Sequence, residues 1–256
     1  MISKNKMKYV RSLEMKKYRK AEGVFVAEGH KLVDDLRDVF ECTYLVATSK
    51  WFMEHDGWVS VLRSSGVEVD EVTDDELRRV SFQETPQQVL AVFKQRTDEV
   101  DIHEEAKRNL CLVLDDVQNP GNLGTIVRLA DWFGIEHIFC SKGCADIYNP
   151  KTVQATMGAM ARVQVHYEDL PALLASLEDG IPVYGTSLEG DILYGKKLEK
   201  YGLIVMGNEG NGVSKEVEMF VTEKLYIPPY PEGRKTSESL NVSIATGIVC
   251  AEFRKR

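Results

Sequence analysis

The sequence lacks long apolar runs. Nowhere do eighteen apolar residues follow one another, so no membrane-spanning helix is expected. The opening stretch MISKNKMKYVRSLEMKKYRK has no apolar centre of the kind a secretory leader needs. Cysteine is sparse: Cys42, Cys111, Cys140, Cys144 and Cys250 are an odd number and form no C-x-x-C. That usage reads as reduced core thiols in a cytoplasmic protein. Cys140 and Cys144 have no second ligand pair or spaced histidines beside them, so no metal is expected. Two phosphate-binding signatures are absent as well, the P-loop G-x-x-x-x-G-K-S/T and the dinucleotide G-x-G-x-x-G. There is no internal repeat and no low-complexity segment.

What is present is a globular composition, 43% hydrophobic and 28% charged over 256 residues, enough for one large domain or two modest ones. The formal charge of −8 argues against a generally basic nucleic-acid binder. Its distribution is uneven. Residues 1–20 hold eight Lys and Arg against one acid, Glu14, while the remaining chain has 24 basic and 39 acidic residues. A basic arm on an acidic body is a candidate polyanion contact, with Lys8, Arg11, Lys16, Lys17, Arg19 and Lys20 as its cations. A solvated terminal helix would carry the same charges.

Hydrophobic periodicity divides the chain. GVFVAEG, TYLVAT, GVEVDEV and QQVLAVFKQ read as strands, HKLVDDLRDVF as a helix, and DDELRRV as a short helix capped by Asp74. The polar stretch Lys94 to Asn109 reads as a linker, giving domains at 1–96 and 109–256 with residues 97–108 between them. The second domain opens on the buried-strand pattern LCLVLDDV and then alternates strands with helices to the last helix, SLNVSIATGIVCAEFRKR. That alternation predicts an α/β domain with a parallel sheet and helices on both faces.

Three Gly- and Asn-rich turns follow strands of this domain: NPGNLG (119–124), GNEGNG (207–212) and IPPYPEGRKTSESLN (227–241). In a parallel sheet such turns lie on one edge and define a single site. Asn122 beside a helix start, with Arg128 one helical turn beyond Gly124, suits a phosphate group.

The stretches NPGNLGTIVR, IVMGNEGNGVS and IP…SLNVSIATGIVCAE resemble, in order and spacing, the three motifs of the SpoU (TrmH) family of RNA ribose 2′-O-methyltransferases, part of the SPOUT superfamily. The N-terminal part resembles the small α/β, ribosomal-protein-like substrate-binding domain of many members. The resemblance implies a deep trefoil knot in the C-terminal domain, S-adenosylmethionine bound there largely by backbone groups, and a homodimer whose active sites use both subunits. Asn122 and Arg128 match the first motif, Glu209 the second, and Ser239 and Asn241 the third. Gly207, Ile227 and Leu240 match positions that contact the cofactor, and Thr186 matches a further residue beside it. The chain departs from the usual pattern in the longer segment between IP and SLN, and in Asn208 where Ser or Thr is common.

The reaction so implied is methyl transfer to a ribose hydroxyl, without a metal. Arginine is a poor base, so Arg128 is expected to grip the adjacent phosphate and orient the hydroxyl. Asn122 and Ser239 are expected to position the ribose, and Glu209 and Asn241 to fix the loops and the helix start. The expected substrate is RNA, ribosomal in preference to transfer RNA. A catalytically silent RNA-binding or assembly factor of the same fold, and a generic nucleotide-binding α/β enzyme, remain the competing readings.

Overall fold

The computed structural model describes residues 2–97, 99–231, 234, 237 and 239–255. It divides into two compact units, Met1–Asp98 with Asp146–Ala161, and Glu99–Ala145 with Arg162–Arg256.

The N-terminal unit begins with α1 (Lys4–Ser12) and α2 (Lys16–Glu22). There follow β1 (Val24–Glu28), α3 (His30–Leu36), β2 (Cys42–Thr48), α4 (Ser49–Glu54), α5 (Asp56–Ser64), β3 (Glu68–Val72), α6 (Asp74–Val80) and β4 (Val89–Lys94). The sheet order is β1-β4-β2-β3, with β4 antiparallel to both neighbours and β2 parallel to β3. One face buries Val10, Leu13, Val24, Val26, Tyr44, Val46, Leu77 and Leu90 in a single cluster, so the basic α1 is docked through its apolar side. α6 is capped by Thr73, not Asp74. The Thr73 hydroxyl accepts from the Glu76 N–H while the Glu76 carboxylate accepts from the Thr73 N–H at 3.0 Å, and this reciprocal box leaves Asp74 as the first helical residue.

β1 is an edge strand by pairing, yet every one of its residues is buried. The covering element comes from far along the chain: the helix Pro150–Thr156 packs on β1 within this unit. Gly158, at φ +90°, lies against Asp35, and a Cβ there would sit 2.1 Å from its carboxylate. Arg96 donates to the carbonyl of Ala161 at 2.9 Å.

The second unit starts earlier than the sequence pattern places it. Within the stretch read as a linker, Ile102–Arg108 forms α7, capped by the Asp101 carboxylate, which accepts from His103 N–H at 2.9 Å. Its two buried residues, Ile102 and Ala106, are four apart, so one narrow stripe enters the core while every other position stays polar. Then come β5 (Leu110–Leu114), α8 (Pro120–Trp132), β6 (His137–Ser141), the helix Pro150–Thr156 (α9) already described, β7 (Gln164–Glu168), α10 (Leu170–Ala175), β8 (Val183–Ile192), β9 (Gly202–Met206), α11 (Lys215–Glu218), β10 (Glu223–Tyr226) and α12 (Val242–Phe253).

The six strands form one sheet, ordered β10-β8-β9-β5-β6-β7, with every pairing parallel. β5 and β9, the central pair, are buried at all positions, as the continuous apolar runs LCLVL and GLIVM predict. α7, α10 and α11 cover one face through Ile102, Leu170, Leu174 and Val217. α8 and α12 pack on each other, Gly247 of α12 meeting the Leu129 side chain.

The order of strands positions the site. From β5 the chain moves outward to β6 and β7, then returns to the other side to build β8, β9 and β10. The reversal falls between β5 and β9, where ligands gather in open α/β sheets. The register pairs Leu114 with Met206, so the first and second Gly/Asn-rich turns leave adjacent strand ends side by side.

Candidate active site at the reversal of strand order

The first turn is held by a residue that the motif pattern did not single out. Asn119 is the N-cap of α8: its Oδ1 accepts from Gly121 N–H at 2.8 Å and Asn122 N–H at 3.1 Å, and Pro120 occupies the first helical position. Asn followed by Pro is a strong start signal, because Pro has no N–H to leave unpaired and its φ is already helical. The helix therefore begins at Pro120, and Asn122 lies inside its first turn.

Three of the predicted residues meet. Asn241 caps α12 through Oδ1, which accepts from the N–H groups of Ser243 (3.0 Å) and Ile244 (3.3 Å) and from the Ser243 hydroxyl. With its oxygen committed to the helix, Asn241 presents its amide outward and donates to Asn122 Oδ1 at 3.1 Å. Asn122 must then present its own amide on the other side, where it donates to Glu209 Oε1 at 2.7 Å. One directional chain of side-chain amides thus joins all three turns, running from a helix N-terminus to a carboxylate that only accepts.

The second turn is folded around Asn208. Its Oδ1 accepts from Gly210 and Asn211 N–H at 2.9 and 3.0 Å, and its backbone exchanges hydrogen bonds with Gly212. Its amide donates to the Asp116 carbonyl at 2.8 Å, tying the second turn to the end of β5. Asp116 holds a left-handed backbone at φ +58°, a conformation Asp tolerates better than most residues. The buried Asp115 carboxylate accepts from Ser214 N–H at 2.8 Å and anchors the far side of the same turn. Below it, Cys144 accepts from Val117 N–H at 3.3 Å, and a hydrogen bond from Cys140 is the leading cause holding its thiol below the usual range. Asp115, Asp116, Asn119 and Ser214 are positioning residues that sequence reasoning missed, and Asn208, singled out only as a departure from the usual pattern, is another; Asn-Pro was the legible signal for Asn119, and the others depend on contacts distant in the chain.

The remaining predicted residues stand apart from this chain of bonds. Arg128 is exposed on α8, and among the described residues its guanidinium has no hydrogen-bond or ion-pair partner. Ser239 is exposed on the third turn. Five positions of the longer segment there, Glu232, Gly233, Lys235, Thr236 and Glu238, lie outside the described residues. Thr186 donates to the Val205 carbonyl at 3.3 Å. Gly207 is buried, and a Cβ on it would lie 2.2 Å from the carbonyl carbon of Gly212, so the turn closes on its own backbone at that point.

S-adenosylmethionine, the cofactor implied by the motifs, fits the groups present. Among the described residues no hydrogen bond occupies the backbone N–H of Gly207, Ile227 or Leu240. The half-buried Ile227 and the exposed Leu240 add apolar surface. Backbone donors beside aliphatic side chains suit a zwitterionic methionine joined to a nucleoside. No cluster of three or more metal-ligating side chains occurs among the described residues.

In the N-terminal unit the basic arm needs one correction. Arg19 is 1% exposed: it donates to the carbonyls of Leu13 and Glu14 at 2.8 and 2.6 Å and pairs with Asp146 at 2.6 Å. A guanidinium so enclosed holds α2 in place and is withdrawn from any phosphate. Arg11 donates to the Ser81 carbonyl at 2.6 Å and lies over the Phe82 ring. Lys8, Lys16, Lys17 and Lys20 are exposed.

Comparison with known proteins finds relatives of both units. The SpoU rRNA methylase family matches residues 109–251, and the MRM3-like substrate-binding domain matches residues 4–91. The 23S rRNA (guanosine(2553)-2′-O)-methyltransferase RlmP of Bacillus subtilis is 31% identical over 97% of this chain and 96% of its own. A solved structure described as a putative RNA methyltransferase of the TrmH family from Porphyromonas gingivalis is 40% identical, with TM-score 0.85 over 100% of this chain and 99% of that one. An AdoMet-bound rRNA methyltransferase from Sinorhizobium meliloti is 30% identical, with TM-score 0.87 over 100% of this chain and 96% of that one. With its three motifs joined at the reversal of the sheet and its full length matched, the chain belongs to the SpoU rRNA methylase family of S-adenosylmethionine-dependent RNA ribose 2′-O-methyltransferases.

Proposed function

We propose that this protein methylates a ribose 2′-hydroxyl of 23S ribosomal RNA, in the cytoplasm, as a homodimer. The observation that carries the reading is the hydrogen-bonded chain Asn241–Asn122–Glu209, which aligns the three turns at adjacent strand ends. The likeness to RlmP along nearly the whole chain favours ribosomal over transfer RNA.

S-adenosylmethionine, when bound, supplies an activated methyl group. This chain's task is to hold the ribose in line with it. The backbone N–H groups of Gly207, Ile227 and Leu240, without partners among the described residues, would hold the cofactor. Arg128, exposed and unpartnered among the described residues, takes the phosphate next to the target ribose through its planar fork. A guanidinium cannot act as a base at neutral pH, so the hydroxyl proton passes to a phosphate oxygen or to water while Arg128 fixes the geometry. Asn122 and Glu209 keep the turns at fixed separation, and Ser239 borders the ribose.

Dimerisation is supported by α12. The helix is apolar nearly all round, and it exposes Ile244 at 58% while its partner helix α8 exposes Trp132 at 84%. A helix without a polar face is one that another surface covers. The trefoil knot stands as part of the same proposal, supported by the late return of β8, β9 and β10 and the packing of α12 on α8.

The test is methyl transfer from labelled S-adenosylmethionine to in vitro transcribed 23S rRNA, with bulk tRNA as the comparison and the modified nucleotide mapped as 2′-O-methyl. Label on 23S rRNA at one ribose is expected. Label on tRNA alone, or on a base instead of a ribose, would overturn the assignment.

A further inference from the structure

The cavities of the N-terminal unit differ in the charge of their rims. One is bordered by Asp34, Asp38 and Glu54 with Arg37, and another by Glu71, Asp74, Asp75 and Glu76 with Lys50 and Arg79; in both, acids outnumber cations, which disfavours a phosphodiester chain. A third, of about 330 Å³, lies between β1, the segment after α6 and α9, and its walls are mainly apolar. Its exposed charge is the cation Lys151. We infer that this third cavity takes up one unstacked nucleobase of the RNA substrate, seated beside Phe82, while the exposed lysines of α1 and α2 hold the adjoining backbone; the inference rests on the RNA reading above.

Five observations support it. The Phe82 ring is half-buried, and Arg11 covers it with a guanidinium 5.3 Å from the centroid, so the aromatic plane is braced. Arg11 belongs to α1 and also donates to the Ser81 carbonyl, which sets the basic helix beside the cavity's lip. At the base, Glu28 is fixed by the Ser81 hydroxyl and by Phe82 N–H at 2.9 Å. Each of its oxygens retains a second lone pair for an exocyclic amine. Gln83 donates to Gln154 Oε1 at 2.7 Å, spanning from the segment after α6 to α9. The volume is at the small end of the range for ligand pockets and suits one flat heterocycle. Proteins that read single-stranded RNA combine these elements: an aromatic platform, a few edge acceptors and donors, and cations along the backbone.

The test uses the full-length protein and in vitro transcribed 23S rRNA. Ala155 lines the cavity from α9 and is half-buried, so Ala155→Trp fills the space from one wall. Phe82→Leu keeps apolar bulk but removes the aromatic plane. Each variant is measured for RNA affinity across a salt series, for melting temperature, and for S-adenosylmethionine affinity by calorimetry. For Ala155→Trp, an affinity loss of about tenfold at every salt concentration is expected, with the salt slope, melting and cofactor affinity unchanged, because base stacking is removed while the phosphates stay bound. For Phe82→Leu the expected loss is about fivefold. Parent-like RNA affinity in the folded variants overturns the inference, as does a loss accompanied by a flatter salt slope. If Ala155→Trp does not fold, Phe82→Leu decides. A parent protein that binds the cofactor but does not retain 23S rRNA refutes the RNA reading itself, and the cavity's role falls with it.

Discussion

Removing the central amide of the Asn241–Asn122–Glu209 chain tests whether the three turns form one unit. Asn122→Ala deletes an acceptor for Asn241 and a donor to Glu209. A neutral hydrogen bond contributes about 1 kcal/mol net and a charged one about 1.5–3. Asn122 and Glu209 are half-buried and Asn241 is exposed, so water replaces part of what is removed, and the expected cost is about 2 kcal/mol. Asn241→Ala loses the same bond to Asn122 and also the α12 cap, about 1 kcal/mol each. The shared bond is counted in both single variants, so the double variant should cost about 3 kcal/mol in place of 4, a coupling of about 1. The assay is urea unfolding of parent, single and double variants at one protein concentration, since the stability of the proposed dimer would depend on it. Glu209→Gln serves as control: its side-chain oxygen still accepts from Asn122, so the fold should hold within about 0.5 kcal/mol. Strictly additive costs would refute the idea that the amides form a connected relay.

Arg128→Ala and Arg128→Lys should melt and bind S-adenosylmethionine like the parent, yet lose about a hundredfold or more in single-turnover methyl transfer, because an exposed guanidinium without a partner among the described residues has little to stabilise. A fully active Arg128→Ala would show that the residue only solvates the helix. Gly207→Ala should already fail: its Cβ would press on the Gly212 backbone, so circular dichroism melting should show destabilisation, and cofactor affinity should fall because the turn itself is displaced. Lys16→Ala with Lys17→Ala and Lys20→Ala should flatten the salt dependence of RNA binding by somewhat under one unit for each phosphate released. Arg19→Ala should instead destabilise by about 3–5 kcal/mol, since it leaves the Asp146 carboxylate without its buried partner; unfolding measurements separate the two behaviours.

The parallel sheet was legible because LCLVL and GLIVM are continuous apolar runs, a pattern that strands covered on both faces require. Asn122, Glu209 and Asn241 were legible as motif residues, but their mutual bonding was not, since it spans 87 positions in one direction and 119 in the other. α7 was misread as linker because a helix that buries only Ile102 and Ala106 looks like solvent-exposed chain. Arg19 was misassigned for the converse reason: one cation among eight is indistinguishable in a charge count, and only the fold encloses it between the turn at Leu13 and Glu14 and the Asp146 carboxylate. Gly207 was singled out as a place where backbone meets ligand, whereas the contact a side chain would violate is with the turn's own residues 212 and 213.

The excursion of residues 146–161 into the N-terminal unit sets a timetable for synthesis. Until α9 emerges, β1 lacks the helix that packs on it from residues 150–156, and Arg19 has no Asp146 to pair with. A ribosome must therefore add about 60 residues after the first unit's last strand, several seconds of elongation, before that unit can close. During that interval the part of β1 that α9 covers is open to other chains. A fragment ending at residue 98 would remain in that state, and chaperone dependence should track the nascent chain from roughly that length until residue 161 clears the exit tunnel.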